Sequence, residues 1–201
     1  MLDVSQRLVV VVGGGKVAAR KVRGLLESGA TRVRCVAAEF DAMFPEVEKV
    51  KGCFEPAHLE GAGLVFAATD DPSVNAAVVR DAHCLGILVN RADAEADEPG
   101  DFSVPAVLRE GELVVAVSAG GAPALAATVR DGLRARFDSR WVMMAEAMKE
   151  LRPRITARGD LPAASRQSAM RDLASPEAMQ ILDKHGPEHL WAWLKERNRA
   201  L

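Results

Sequence analysis

The chain has 201 residues, 49% hydrophobic, 27% charged and 4% aromatic, with a formal net charge of −2 and no tyrosine. That length holds one full core, or a core and a smaller companion. Scarce aromatics argue against a stacking platform for single-stranded nucleic acid, and no run approaches the roughly eighteen apolar residues of a membrane span.

The opening MLDVSQRL lacks the basic-then-apolar layout of a secretory signal. The scattered Cys35, Cys53 and Cys84 read as small buried hydrophobes in a reducing cytoplasm, not as a disulfide framework. The charge is uneven. Residues 1–104 carry 11 Lys/Arg and 16 Asp/Glu, and residues 105–201 carry 15 and 12, so −5 and +3. A mildly basic second half could attract an anionic ligand, but charge alone favours the plainer reading of solvated helix faces.

In chain order, Arg7–Val12 is an apolar, β-branched run that predicts a buried parallel strand. Lys16–Ser28 has helical spacing, with Val17, Leu25 and Leu26 on one side and Gly29 as its stop. Arg32–Ala37 predicts a second strand, Gly52–Glu55 a short third and Gly63–Ala68 a fourth. Asp71 caps a helix that runs to Cys84, with Pro72 in its first position. Gly86–Asn90 predicts a fifth strand. This alternation implies an α/β fold with a parallel sheet and right-handed crossovers.

The pattern then changes. Residues 101–121 give two strand-like runs around Glu110–Gly111, a hairpin signal. Helices follow at Ala122–Phe137 and at Ser139–Leu151, the latter ended by Pro153. Shorter helices follow, punctuated by Pro162, Pro176 and Gly186-Pro187. Such a helical run forms either a small separate domain or a dimerisation arm.

The junction LVVVVGGGKVAARK holds the first functional signal. A P-loop needs glycine five positions before Gly-Lys and Ser or Thr after the lysine. Val10 and Val17 stand there instead, so Lys16 is not a P-loop lysine. Gly13-Gly14-Gly15-Lys16-Val17-Ala18 satisfies the dinucleotide pattern G-x-G-x-x-A, between a strand and a helix. In this reading Gly13 permits the turn, Gly15 lets the backbone approach a pyrophosphate, and Ala18 keeps helix and sheet close. The free N–H groups and positive dipole end of the helix, at Lys16 and Val17, face the phosphates. After the second strand, Ala38 leaves room for adenosine, and Glu39 is the acid placed to grip a ribose, or is a solvated loop charge. An acid there favours NAD over NADP. Thr69 and Asp70 follow the fourth strand, where they would touch the nicotinamide side. A helix cap at Thr69 or Asp71 is the plainer alternative and is compatible with that role.

The stretches VVVVGGGKVAARKVRGLLESGA, GLVFAATDDPSVNAAV, VNRAD and DFSVPAVLREGELVVAVSAGGAPALA together resemble the N-terminal module of siroheme synthase, over about residues 7–135. That family comprises precorrin-2 dehydrogenases, some of which are also sirohydrochlorin ferrochelatases. The resemblance implies a free-standing module. It would hold an NAD-binding Rossmann domain at 1–104, a dimerisation segment at 105–150 and a helical C-terminal domain at 151–201. It implies a cytoplasmic homodimer without nucleic-acid or membrane partners. The tetrapyrrole precorrin-2, with eight carboxylates, would give a hydride to NAD and protons to a base, yielding sirohydrochlorin.

The family's key carboxylate follows V-N-x-x-D and maps onto Asp93, with Asn90 ordering the loop or touching the nicotinamide. Read from the residues alone, Asp93 is a charge in an acidic loop. Arg91, Arg109 and Arg130 are placed to meet substrate carboxylates.

The chain departs from the family at SAGGAPALAATVR. One residue and a serine are missing around Gly121–Pro123, Ala127 replaces an arginine, and Ala119 stands where relatives carry a phosphorylatable serine. The loop after Asp93 is also longer than usual. These changes bear on metal insertion more than on NAD binding. His185 and His189 are separated by the helix-breaking Gly186-Pro187, and His58 and His83 lack ligand-spaced partners, so no resident metal site is expected. The sequence therefore favours a dehydrogenase. The alternatives are a bifunctional dehydrogenase and ferrochelatase, and a nucleotide-sensing regulatory module.

Overall fold

The computed structural model describes residues 2–93 and 100–198; the stretch 94–99, where a longer loop after Asp93 is expected from the sequence, lies outside the described residues. The chain divides into two compact units, Met1–Val104 and Pro105–Leu201.

The first unit is a five-stranded parallel sheet. Its strands are β1 (Leu8–Val12), β2 (Arg32–Ala37), β3 (Glu48–Lys51), β4 (Ala62–Ala67) and β5 (Leu88–Arg91), in the order β3-β2-β1-β4-β5. β1 lies at the centre, and all five of its residues are buried. Alternation along the strand divides them between two cores. Val9 and Val11 pack with Ala18, Ala19, Val22 and Leu25 of helix α1 (Lys16–Glu27). Leu8, Val10 and Val12 pack with Val78, Val79 and Ala82 of helix α2 (Pro72–Cys84). Each fully buried Val or Leu contributes about 1.5–3 kcal/mol of transfer free energy. Because helices cover both faces, β1 is apolar throughout rather than alternating. The strand order reverses direction between β1 and β4, the switch point at whose carboxyl ends open α/β sheets form their ligand crevice.

The helices begin and end for local reasons. Asp71 caps α2 by accepting from the Ser73 and Val74 amides, with Pro72 in the first turn. α1 stops at Gly29, whose φ of 85° is left-handed, and Ala30 N–H closes onto the Leu25 carbonyl at 3.0 Å.

Three expectations for this unit need correction. In α1 the buried stripe is Ala18, Ala19, Val22 and Leu25, while Val17 and Leu26 are each 41% exposed. The sheet needs small residues where the helix approaches it, so the alanines win that face. The third strand is Glu48–Lys51, not Gly52–Glu55. Arg34 and Glu48 form a rung at 2.7 Å, and Gly52 ends the pairing. Cys35 is buried, but Cys53 and Cys84 are exposed. Burial pushes the Cys35 thiol up to about 12.

That unit opens with the antiparallel strands β6 (Ala106–Glu110) and β7 (Leu113–Val117), joined at Gly111-Glu112. Helices α3 (Pro123–Arg134), α4 (Ser139–Thr156), α5 (Ala163–Leu173), α6 (Pro176–His185) and α7 (Leu190–Arg197) follow. α4 through α7 bury one cluster around Leu151, Ile155, Leu173, Leu182, Leu190 and Leu194. Pro153 does not end α4 but lies inside it. Burial of Leu151 and Ile155 on either side outweighs the lost hydrogen bond, a case of tertiary packing overriding propensity.

Phe66 joins several parts of the first unit. It is 3% exposed, stacks edge-on with Phe102 at 5.6 Å and lies under the Lys21 ammonium at 5.6 Å. Phe66→Ala is expected to lower unfolding stability by about 3–5 kcal/mol, measured by urea denaturation with an unchanged slope. A loss below about 1 kcal/mol would remove Phe66 from the core.

Candidate functional site

The turn between β1 and α1 is a close meeting of three chain segments. Gly13 donates its N–H to the Val36 carbonyl at 2.9 Å, and the Asp41 N–H reaches the Gly14 carbonyl at 2.8 Å. A Cβ on Gly13 would overlap the Ala68 carbonyl, and one on Gly14 would overlap the Glu39 carbonyl. Gly13 also has a φ of 133°. Gly15 differs: a Cβ there would meet nothing within 4 Å. It points into open space at the mouth of the crevice.

Gly15 is also the N-cap of α1, and no side chain caps that end. The first intrahelical bond is Ala19 N–H to the Gly15 carbonyl at 2.9 Å, so the amides before Ala19 point out of the helix end. Lys16 and Val17 open the helix and are exposed, and Ala18 is fully buried against the sheet. The end has the geometry and partial charge of an anion site. Ala38 and Glu39 follow β2 and are both exposed beside the turn.

Across the crevice, the connection from β4 to α2 is tied by a side-chain network. Asn75, 1% exposed, accepts from the Thr69 N–H at 3.1 Å and the Thr69 hydroxyl at 2.8 Å, and donates to the Thr69 carbonyl at 3.1 Å. Asp70 is exposed next to this clamp. Thr69 therefore does not cap α2; Asp71 does, and Ser73 holds the Asp71 carboxyl below its usual range.

At the end of β5, Asn90 is 4% exposed and donates to the Phe102 carbonyl at 2.6 Å. Its Oδ1 is buried with no partner among the described residues. Such an orphaned acceptor marks strain or an absent donor. The Gly100–Phe102 segment closes the outer edge of β5. Asp101 receives the Val89 N–H at 2.8 Å and faces His83 at 3.0 Å, and the Val89 amide chiefly holds its carboxyl below the usual range. A Cβ on Gly100 would overlap the β5 backbone.

Asp93 follows β5, and Arg91 grips it in a fork. Nε reaches Oδ1 at 2.8 Å and Nη2 reaches Oδ2 at 2.9 Å. Arg91 also donates to the Pro72 carbonyl at 3.2 Å. The guanidinium holds the Asp93 carboxyl below its usual range, with Asn75 helping. Arg91, expected to meet a substrate carboxylate, is engaged with Asp93 in this structure. Its side chain is only 6% exposed, and its fork is filled by Asp93 rather than open to a substrate carboxylate. Arg109 lies exposed on β6, and Arg130 on α3 pairs with the neighbouring Asp131 at 2.7 Å. Both belong to the second unit.

The family described as putative NAD(P)-binding matches residues 1–106, just over half of the chain. The chain belongs to this family. The bare helix end behind a glycine turn is the feature that suits an NAD(P)-type dinucleotide. The chain is 37% identical over 164 residues to the siroheme synthase of Methylobacillus flagellatus, covering 78% of this chain and 34% of that protein. It is 38% identical over 176 residues to the siroheme synthase of Methylococcus capsulatus, covering 84% and 36%. It is 39% identical over 157 residues to siroheme synthase 1 of Aeromonas salmonicida, covering 75% and 33%. The chain thus spans about a third of these relatives, and the resemblance read from its motifs is borne out. A solved structure titled SirC, precorrin-2 dehydrogenase shares the fold, with a TM-score of 0.73, 23% identity and 98% coverage of both chains.

Three residues of the NAD(P)-binding unit take structural roles that the sequence does not show. Gly14 occupies a free position of the pattern, yet the Glu39 carbonyl excludes any side chain there; the run of three consecutive glycines is the available signal. Asn75 looked like an ordinary helical residue. Lys21 lies on the buried stripe of α1, three residues after Ala18, and burial lowers its pKa with the charge of Arg20 adding to the effect. No cluster of three or more metal-ligating side chains occurs among the described residues. The His185 and His189 rings lie 5.7 Å apart, separated by the left-handed Gly186. No described helix is long and apolar enough to cross a membrane.

The glycines separate folding from binding. Gly15→Val is expected to keep the melting temperature within about 2 °C and to weaken NADH binding at least about hundredfold by calorimetry. Gly14→Ala, which must displace the loop after β2, is expected to lower both. Equal effects of the two substitutions would contradict this division.

Proposed function

We propose that the chain is an NAD-dependent precorrin-2 dehydrogenase that forms sirohydrochlorin in siroheme biosynthesis. The carrying observation is that one unit presents both an uncapped helix end behind a glycine turn and a carboxylate held in place by Arg91. Bound NAD would supply the hydride acceptor; the protein supplies placement and proton handling. The amides at Gly15–Ala18 receive the pyrophosphate, and Ala38 leaves space for the adenosine. Glu39 bonds the ribose and repels a 2′-phosphate, which favours NAD over NADP. Thr69, Asp70 and Asn90 border the nicotinamide half.

Asp93 accepts a proton from the substrate as the hydride leaves. Arg91 orients this carboxylate rather than binding a substrate carboxylate. Arg109 and Arg130 remain the arginines offered to the tetrapyrrole's acidic arms. A homodimer accompanies this reading. It is supported by the half-covered apolar side chains of the hairpin and α3, where Val107, Leu125 and Val129 are 37%, 56% and 42% exposed.

The test is anaerobic turnover of precorrin-2 with NAD, followed by NADH absorbance. Wild-type protein is expected to form NADH and sirohydrochlorin together. Asp93→Ala should bind NADH normally and lose at least about hundredfold in kcat. Asp93 works ionised, so activity falls as pH drops through its lowered pKa. Arg91→Ala removes the group that lowers it, so the acid limb of kcat/KM should move to higher pH. No NADH from the wild type would overturn the function, and an unmoved acid limb would overturn the role of Arg91.

A further inference from the structure

Asn75 is one of only two polar side chains in the buried interior, the other being Asn90, among the described residues. Burying a carboxamide is costly unless its bonding capacity is used. Here it is used chiefly on Thr69: Oδ1 receives the Thr69 amide and hydroxyl, and Nδ2 reaches the Thr69 carbonyl, while the same side chain also supports the Asp93 carboxylate. The carboxamide pairs with Thr69 as a neighbouring strand would. It takes over where β4 leaves the sheet, one residue after Ala68 N–H bonds the Val12 carbonyl at 2.8 Å.

The same region is anchored a second way. Arg91 bonds the carbonyl of Pro72 and grips Asp93. The first turn of α2, the connection 69–71 and Asp93 are therefore linked through Asn75 and Arg91. The helix needs none of the Asn75 bonds, since Asp71 already caps it. A purely structural position in α2 would be apolar, like its neighbours Val78 and Val79.

We propose that Asn75 is a positioning residue that holds Thr69 and Asp70 in place against the nicotinamide half of the dinucleotide. This inference rests on the cofactor reading above. The ADP half depends on the turn Gly13–Ala18 and on Glu39, which Asn75 does not touch. The nicotinamide half depends on the connection after β4, which Asn75 fixes.

The two halves can be measured separately. Calorimetry with NADH and with ADP-ribose, on wild type and Asn75→Ala, reads each one without turnover. Asn75→Ala is expected to weaken NADH about tenfold, the scale of a lost buried hydrogen-bonding group, and to leave ADP-ribose within about twofold. Asn75→Asp keeps the acceptor for the Thr69 amide and hydroxyl and should recover part of the NADH loss; it also decides the matter if the alanine variant does not fold. Parallel losses for both ligands, or no loss for either, would overturn the role of Asn75 while leaving the cofactor reading intact. A wild-type protein that binds neither ligand would overturn that reading and this inference with it.

Discussion

The site depends on the close approach of three backbones at Gly13 and Gly14. The carbonyls of Ala68 and Glu39 lie where side chains at these positions would project. This approach brings the ends of β1, β2 and β4 together and lets α1 start immediately beyond the sheet. Its consequence is electrostatic. The first turn of α1 has no side-chain cap, because the chain arrives through a glycine rather than through Ser, Asp or Asn. Its amides remain available to an anion, in the crevice where the strand order reverses. α2 makes the contrast: Asp71 satisfies its first amides, and that helix end is closed.

A second set of polar contacts organises the far side of the crevice. Asn75 fixes the exit of β4, Arg91 fixes Asp93, and Asp101 ties the chain back onto β5. Asn75 and Asp101 pair backbone groups that the sheet leaves open, whereas Arg91 pairs the side chain of Asp93. Preorganisation of this kind matters for a proton acceptor. A carboxylate fixed by a guanidinium keeps one orientation and stays ionised, at the expense of basicity.

The parts of this arrangement differ in how readily the sequence reveals them. β1, β2, α2 and the hairpin were legible because apolar period, glycine punctuation and a capping Asp-Pro agree with one another. The glycine turn was legible as a pattern, but its free position was not: Gly14 is fixed by the Glu39 carbonyl, a contact that exists only once β2 is placed. The buried face of α1 was misread because valine and leucine outrank alanine in hydropathy, whereas close packing on the sheet demands alanine. Pro153 read as a stop because its cost is local while the compensation, burial of Leu151 and Ile155, is tertiary. Asp93 stands out in the sequence only through a family motif, and its pairing with Arg91 two residues earlier is hidden, because an i, i+2 spacing past a strand end does not fix where either side chain turns. Asn75 left no sequence signal, because a helical asparagine is ordinary until its burial is known.

The central claim is that the open end of α1 and the connection after β4 form one dinucleotide site. Amide chemical-shift mapping of isotope-labelled protein on addition of NAD tests it most directly. The account predicts the largest shifts at Gly15, Lys16, Val17 and Ala18, with Thr69 and Asp70 moving in the same titration. Shifts confined to residues outside these two segments, or none at saturating NAD, would contradict it.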